Sequence, residues 1–325
     1  MRGRVVGTGS AVPEKILTNF DIEKLVDTND EWIRTRTGIR ERRIAGEGEY
    51  TSTFATIAAK KAMEMAEILA SEIDLIIVAT VTPDFPFPGT SCLVQDSINA
   101  VNATAFDISA ACSGFIYGLS IADKYIKTGA IKNALVIGGE VLSKITDWSD
   151  RNTCALFGDG AGAVVLSAES GSRGILETFH KSDGSKWELL YQPAAGIRNP
   201  VTQKVIDERL MYINMQGNEV FKLAVKAMEE AAVKVLKASS MTIEDVDLFI
   251  PHQANLRIID AVARRLGVPS EKVYINIDHY GNTSAGSIPI ALDEANRKGI
   301  IKEGNNIILD AFGGGLTWGA VSICW

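Results

Sequence analysis

Two kinds of apolar pattern alternate along the chain. Short continuous apolar runs at residues 74–80 and 133–140 predict strands buried on both faces, as in a parallel or mixed sheet. Longer segments at 53–69 and 115–129, in which apolar residues recur every three or four positions, predict amphipathic helices. Strands that alternate with helices in this order indicate an α/β protein whose sheets are covered by helices on both sides.

One cysteine lies where this pattern changes from strand to helix. Cys112, in the segment FDISAACSGF, follows a strand predicted at 103–108 and precedes the helix at 115–129. Unpaired backbone N–H groups and the dipole at a helix start favour an anion, so this position predicts a lowered thiol pKa and a reactive cysteine. Taken alone, however, a free cysteine is more often a buried core residue.

Two polar residues that follow other predicted strands favour the reactive interpretation. His252 comes directly after the strand predicted at 247–250, and Asn282 lies in the turn-rich segment IDHYGNTSAGS. Functional groups collect at the carboxyl ends of strands in open α/β sheets. A cysteine, a histidine and an asparagine brought together there would form an activated thiolate site.

The second half of the chain repeats the first at a nearly constant distance. DLIIVAT at 74 corresponds to DLFIPHQ at 247, and NALVIGG at 133 corresponds to NIILDAF at 306, both 173 residues later (247 − 74 and 306 − 133). CSG at 112 corresponds to SAG at 284, an offset of 172 (284 − 112). The repeat predicts two homologous α/β halves, residues 1–168 and 169–325. The loop-rich segment 184–213 fits an insertion over the site.

Composition and charge limit the classes of partner. The 325 residues carry a formal net charge of −7, which argues against a general nucleic-acid or anionic-membrane binder. No apolar run approaches the ~18 residues of a membrane span, and the start, MRGRVVGTGS, has no signal-peptide core. The four cysteines show neither zinc-site nor disulfide spacing. We therefore expect a cytoplasmic, reduced protein without a metal site, a setting that a nucleophilic thiol requires.

Seven motifs spread along the chain resemble those of one enzyme family. They are GTGSAVPE, NDEWIRTRTGIRER, AACSG, FGDGAGAVVL, PHQANLRI, HYGNTSAGS and FGGGLTWG. Together they resemble the β-ketoacyl-[acyl-carrier-protein] synthase III family of the thiolase superfamily, whose members start bacterial fatty acid synthesis. The resemblance implies a thiolase-like fold of duplicated α/β halves in five layers, α/β/α/β/α, and a homodimer. It also implies the decarboxylative condensation of a short acyl-CoA with malonyl-acyl-carrier protein, without a metal or redox cofactor.

The resemblance assigns a role to each candidate catalytic residue. Cys112 matches the family's nucleophile, and the backbone N–H of Gly314 matches a donor to the oxyanion. His252 and Asn282 match the pair that assists decarboxylation. Elongating condensing enzymes have two histidines and thiolases have a second cysteine, so the histidine–asparagine pair indicates the initiating type.

The resemblance also implies the substrate contacts. For the CoA thioester these are Thr28, Trp32, Arg36, Thr37, Arg151, Phe157, Gly217, Asn255 and Phe87 of the partner subunit. For the carrier protein they are Lys222, Gln253, Ala254, Asn255, Leu256, Arg257, Arg264 and Arg265. An aromatic ring with guanidinium groups suits a nucleotide, and a local basic patch in an acidic chain suits an acidic carrier protein.

Two other functions would use the same fold. A starter condensing enzyme or acyltransferase of polyketide or specialised metabolism would keep Cys112, His252 and Asn282. A non-catalytic scaffold subunit typically lacks the nucleophile, which this chain retains. The acyl primer stays open at this point because it depends on pocket volume, although a large ring at Phe87 favours a short one.

Overall fold

The apolar runs form strands of two sheets in the computed structural model, which describes residues 1–325. The strands are β1 (Arg2–Ala11), β2 (Ile16–Thr18), β3 (Glu41–Arg43), β4 (Leu75–Ala79), β5 (Thr104–Ile108), β6 (Asn133–Val141), β7 (Asp159–Glu169), β8 (Gly174–Ser182), β9 (Leu190–Tyr191), β10 (Asn214–Met215), β11 (Leu248–Pro251), β12 (Asn306–Gly313) and β13 (Thr317–Cys324). The α-helices are α1 (Asn19–Ile22), α2 (Asp30–Thr37), α3 (Thr51–Ala66), α4 (Thr90–Ile98), α5 (Gly114–Lys127), α6 (Arg151–Cys154), α7 (Gln203–Asp207), α8 (Gly217–Ala238), α9 (Leu256–Leu266), α10 (Ile277–Tyr280) and α11 (Ser287–Arg297). Short 3-10 segments lie at Ala70–Glu72, Ala111–Ser113, Leu142–Ile145, Gly184–Leu189, Ser270–Lys272 and Ser284–Gly286.

The two main sheets have the same strand order. The first runs β1-β7-β6-β4-β5 and the second runs β8-β13-β12-β11. In each sheet the first three strands of this order pair antiparallel with one another, and the third and fourth pair in parallel. The parallel pair is β6 with β4 in the first sheet and β12 with β11 in the second. A single parallel bridge between Phe249 and Val273 takes the place of β5 in the second sheet. The predicted duplication is therefore present in the topology.

Three hydrophobic clusters fill the space between five layers. α3 and α4 pack on the outer face of the first sheet, and α8 and α9 pack on the outer face of the second. α5 and α11 lie between the sheets, where one cluster of 26 buried residues includes Leu119 and Leu292. Each such leucine stabilises the fold by roughly 1.5–3 kcal/mol relative to an exposed position. The layer order is α/β/α/β/α, as the resemblance implied.

The turns before the two central helices share an uncommon backbone conformation. Ala111 has φ 45° and Ser284 has φ 49°, in the left-handed region that residues other than glycine rarely adopt. These residues are 173 positions apart (284 − 111), as are the helix starts Gly114 and Ser287 (287 − 114). The offset of 172 predicted for CSG and SAG is therefore wrong by one residue. Cys112 is equivalent to the middle residue of the second turn.

The chain passes from the first sheet to the second in a short turn, residues 170–173, between β7 and β8. We propose that the halves 1–168 and 169–325 divide next to this turn. None of the helices is both long enough and apolar enough to cross a membrane.

Candidate active site

Cys112 lies in the 3-10 turn between β5 and α5 and lines a cavity. The residue is only 9% exposed. Gly313, at the end of β12, approaches it so closely that a Cβ there would lie 2.6 Å from the Cys112 amide nitrogen. Only glycine fits at this position, so the second half of the chain fixes the backbone of the candidate nucleophile.

The surroundings of Cys112 keep its thiol protonated. Burial raises the pKa of Cys112 to about 12, while a side-chain hydrogen bond with Ser284 opposes this rise and the nearby Glu140 carboxylate adds to it. The lowered pKa predicted from the helix start is therefore wrong for the resting site, because the loss of solvent outweighs the helix. Burial therefore favours the thiol over the thiolate at this position.

A buried carboxyl group lies behind the nucleophile. Glu140, at the end of the run NALVIGGE, accepts hydrogen bonds from the Thr82 hydroxyl (2.6 Å), the Val81 amide (3.1 Å) and the Ser284 hydroxyl (3.3 Å). Burial raises the pKa of Glu140 to about 7 despite these bonds. Glu140 is not among the predicted site residues, although an acidic residue in an otherwise apolar strand was a signal that could have found it.

His252 follows β11 and lines the same cavity. Its ring is buried, Nδ1 lies 2.7 Å from the Ser287 hydroxyl, and its backbone N–H donates to the Asp310 carbonyl oxygen at 2.7 Å. Nε2 makes no hydrogen bond within the chain. Burial lowers the pKa of His252 to about 3, so the imidazole is neutral near pH 7.

Asn282 is fixed by its backbone and by one end of its side chain. Its N–H donates to the Leu156 carbonyl oxygen at 2.9 Å, and its own carbonyl accepts from the Gly158 N–H at 3.0 Å. The side-chain Oδ1 accepts from the Ser284 N–H at 2.8 Å. A backbone N–H can bond only the oxygen end of the amide, so the orientation of the Asn282 side chain is determined. Its Nδ2 group is left free to donate a hydrogen bond.

The three side chains of Cys112, His252 and Asn282 line one cavity of about 850 Å³, a size typical of small-molecule sites. Two guanidinium groups lie over the ring of Trp32, which also lines the cavity: the Arg36 and Arg151 Cζ atoms are 4.8 Å and 5.1 Å from the ring centre. Four other predicted CoA contacts also line the cavity: Thr37, Phe157, Gly217 and Asn255. The predicted insertion 184–213 contributes Leu190 to the wall.

Three of the predicted catalytic and CoA-binding residues lie outside the cavity lining. The Thr28 hydroxyl is buried without a hydrogen-bond partner, just before α2. Phe87 is 85% exposed in the loop 83–90, away from the cavity of its own chain. Gly314 follows β12, and its amide N–H makes no hydrogen bond within the chain.

The predicted carrier-protein contacts divide into exposed and buried residues. Lys222, Ala254, Asn255 and Arg257 line the cavity, and Arg264 and Arg265 follow on the exposed side of α9. Leu256 packs so close to Gly38 that a Cβ on that glycine would lie 2.6 Å away. Gln253 is buried, and its side chain bonds internal backbone groups. Its side chain therefore cannot reach a docked partner.

Only part of the basic patch is free of internal ion pairs. Lys222 pairs with Glu219 at 2.7 Å, and Arg265 pairs with Glu229 at 2.6 Å. Arg257 makes no ion pair within the chain, and neither does Arg264. No group of three His, Cys, Asp or Glu side chains is placed to hold a metal ion.

Comparison of the sequence with known proteins finds matching family models and relatives. The family model "3-Oxoacyl-[acyl-carrier-protein (ACP)] synthase III" matches residues 106–184, and the model of its C-terminal part matches residues 236–325. A protein named β-ketoacyl-[acyl-carrier-protein] synthase III from Caldanaerobacter subterraneus is 56% identical over 99% of this chain and 97% of its own length. A protein of the same name from Clostridioides difficile is 52% identical over 99% of this chain and 98% of its own length.

Solved structures agree with the sequence comparison. The 3-oxoacyl-[acyl-carrier-protein] synthase III of Aquifex aeolicus is 53% identical and superposes with a TM-score of 0.93, covering 99% of this chain and 100% of that one. The priming β-ketosynthase of the R1128 polyketide pathway is 35% identical with a TM-score of 0.93, covering 99% of this chain and 96% of that one. Both the sequence and the fold match over nearly the whole length. The chain therefore belongs to the β-ketoacyl-[acyl-carrier-protein] synthase III family of condensing enzymes.

Proposed function

We propose that the chain carries out the condensation of this family with Cys112, His252 and Asn282 as its catalytic residues. A short acyl group passes from acyl-CoA to Cys112 and is then joined to the two-carbon unit of malonyl-acyl-carrier protein, giving β-ketoacyl-acyl-carrier protein, CO2 and CoA. This step initiates fatty acid synthesis. The observation that supports these roles most is that a thiol, an imidazole whose Nε2 has no partner and an amide whose Nδ2 has no partner line one cavity.

In the first half-reaction the Cys112 sulfur attacks the thioester carbon of acyl-CoA. The negative charge that develops on the thioester oxygen is stabilised by the amide N–H groups of Cys112 and Gly314. CoA leaves with the proton that the thiol gave up, so no cofactor is consumed. Trp32, Arg36 and Arg151 would hold the nucleotide end of CoA, since an aromatic ring binds adenine and guanidinium groups bind phosphate.

In the second half-reaction malonyl-acyl-carrier protein replaces CoA and loses CO2. The electron pair left on the malonyl fragment forms an enolate, whose oxygen accepts hydrogen bonds from His252 Nε2–H and Asn282 Nδ2–H. Both donors are neutral, so neither loses its proton to the enolate. The enolate carbon then attacks the acyl-Cys112 carbonyl and the C–S bond breaks, releasing the Cys112 thiolate. The thiolate takes up a proton from water, which restores the thiol.

We also propose that the carrier protein docks beside α9. If Arg257 attracts an acidic partner there, Arg257→Glu should raise the Km for malonyl-acyl-carrier protein roughly three- to tenfold and affect acetyl-CoA less. Added salt should raise the wild-type Km and change that of the variant less. Lys60→Glu, the same charge change on the far side of the first sheet, is the control. A wild-type Km that does not change with salt would contradict the docking site.

A homodimer would explain the exposed aromatic loop. Phe85 and Phe87 are 53% and 85% exposed in the loop 83–90, where apolar rings are costly unless a partner covers them. We propose that Phe87 of the partner subunit closes the acyl end of the cavity. Phe87→Ala should then accept longer acyl-CoA primers, gaining about 0.8 kcal/mol per added CH2 at most.

Primer-length profiles read by mass spectrometry would measure this effect. Phe85→Ala, which removes a ring from the same loop, should leave the profile unchanged. An unaltered profile for Phe87→Ala, or an active monomer in sedimentation, would rule out the contribution from the partner subunit.

We propose a cytoplasmic location as well. The four cysteines are all free, and Cys112 works only as a thiol. Reducing compartments keep thiols in that state.

A priming enzyme of polyketide or specialised metabolism is the second candidate, favoured by the likeness to the R1128 priming β-ketosynthase. A panel of acyl-CoA primers with malonyl-acyl-carrier protein or malonyl-CoA, with products identified by mass spectrometry, distinguishes the two. Preference for acetyl-CoA or small branched primers with malonyl-acyl-carrier protein supports fatty acid initiation. Preference for other primers or for malonyl-CoA supports the specialised enzyme.

A further inference from the structure

Ser287 is the first residue of α11 and lies against the imidazole of His252. The residue is 3% exposed, so water does not compete for its hydroxyl group. The Ser287 Oγ atom lies 2.7 Å from His252 Nδ1 and accepts a hydrogen bond from the Gln253 N–H at 3.3 Å. It makes no other hydrogen bond.

The proton positions at this contact follow from counting donors and acceptors. A serine hydroxyl carries one proton and two lone pairs, and the Gln253 N–H occupies one lone pair. The remaining neighbour within hydrogen-bonding distance is His252 Nδ1. If Nδ1 carried the histidine proton, the Ser287 proton would be buried without an acceptor, which is costly. If Nδ1 is unprotonated, the hydroxyl donates to it and every group is satisfied.

We propose that Ser287 is a positioning residue that sets the tautomer of His252, keeping Nδ1 as an acceptor and the proton on Nε2. This inference rests on the proposed role of His252 as a neutral donor. An Nδ1–H tautomer would turn a lone pair of Nε2 toward the enolate oxygen and repel it. Ser287 thus determines whether His252 stabilises or opposes the developing charge.

Gln253 supports the serine from the other side. Its side-chain nitrogen donates to the carbonyl oxygens of Pro251 (2.7 Å) and Tyr274 (3.2 Å), and its side-chain oxygen accepts from the Asn276 N–H (3.1 Å). These bonds fix the segment that presents the Gln253 backbone N–H to Ser287. Gln253 therefore orders the histidine loop instead of contacting a docked protein.

Nitrogen NMR of the wild-type enzyme tests the tautomer without a mutation. The chain has three histidines, and the signals of the exposed His180 and His279 are identified from His180→Gln and His279→Gln variants. With nitrogen-15-labelled histidine, His252 should show a protonated Nε2 and an unprotonated Nδ1. Burial lowers its pKa to about 3, so this pattern should not change between about pH 5 and about pH 9. A proton on Nδ1 would overturn the proposal.

Half-reaction kinetics test the consequence. Ser287→Ala should slow decarboxylation of malonyl-acyl-carrier protein roughly 10- to 100-fold, the scale of losing a group that orients a functional imidazole. Formation of acyl-Cys112 should change less than about twofold. Ser120→Ala removes another buried hydroxyl from a central helix, one that bonds only Thr178, and should leave both half-reactions unchanged. Equal slowing of both half-reactions by Ser287→Ala would indicate general disorder and overturn the proposal.

A double variant separates this proposal from the proposed function. In a His252→Ala background, Ser287→Ala should cause no further loss of decarboxylation, because the serine acts only through the imidazole. A further loss would overturn the proposed role of Ser287 and leave the proposed role of His252 intact. If His252→Ala itself decarboxylates at the wild-type rate, the function of His252 is wrong, whichever tautomer NMR finds.

Discussion

Cys112→Ala should abolish acyl transfer to the enzyme and with it the overall condensation. Loss of a covalent nucleophile costs roughly 10⁵-fold or more, and Cys112 is the only thiol that lines the cavity. Mass spectrometry after incubation with acetyl-CoA should find the acetyl group on the Cys112 peptide of the wild type and no adduct on the variant. Decarboxylation of malonyl-acyl-carrier protein should persist in Cys112→Ala, since His252 and Asn282 are unaltered. An acyl adduct on Cys92, Cys154 or Cys324 instead would contradict the assignment.

The raised pKa of the Cys112 thiol predicts that its rate of alkylation increases with pH. Because the pKa of Cys112 is about 12, the thiolate fraction increases about tenfold per pH unit across the neutral range. Alkylation of Cys112 by iodoacetamide should follow that slope and be slower at pH 7 than alkylation of the exposed Cys92. A plateau near pH 7 would mean that the thiol is more acidic than its burial implies.

His252→Ala and Asn282→Ala should each lose decarboxylation while still forming acyl-Cys112. Removing one preorganised donor to a developing oxyanion costs about 3 kcal/mol, or roughly 100- to 1,000-fold in rate. The acyl-enzyme measured by mass spectrometry and the CO2 released from malonyl-acyl-carrier protein report the two half-reactions separately. Wild-type CO2 release by either variant would contradict its role.

Asn282→Asp distinguishes hydrogen-bond donation from shape. The aspartate keeps the oxygen that accepts from the Ser284 N–H but replaces the free donor with a negatively charged acceptor. We expect a loss at least as large as that of Asn282→Ala, because the new charge repels the enolate. Activity close to wild type in Asn282→Asp would show that only the volume of the side chain matters.

Local signals predicted the positions of the candidate residues well. The apolar runs at 74–80 and 133–140 marked strands, and the structure has β4 and β6 there. Cys112 and His252 follow β5 and β11, so the rule that strand ends meet at one edge was enough to bring these two together. Asn282 was expected after a strand as well, but it follows α10, and its backbone bonds to Leu156 and Gly158 hold it at the cavity.

Contacts between distant parts of the chain could not be predicted in the same way. Glu140 meets Ser284 across 144 positions, and Ser287 meets His252 across 35. No periodic pattern in the sequence marks either contact, because side-chain hydrogen bonds between distant residues depend on how the layers pack. The same reason explains the thiol pKa: helix position is local, whereas the burial that outweighs it comes from both halves.

The cluster of 26 residues that joins α5 and α11 has a consequence for how the molecule unfolds. Because these side chains come from both halves, neither half could open without exposing the apolar face of the other to water. The halves should therefore melt together in a single calorimetric transition, although each has its own sheet. For the same reason a fragment ending at residue 168 would present an uncovered apolar surface and should aggregate unless residues 169–325 are supplied beside it. The molecule should therefore unfold as one cooperative unit, although its topology contains two similar halves.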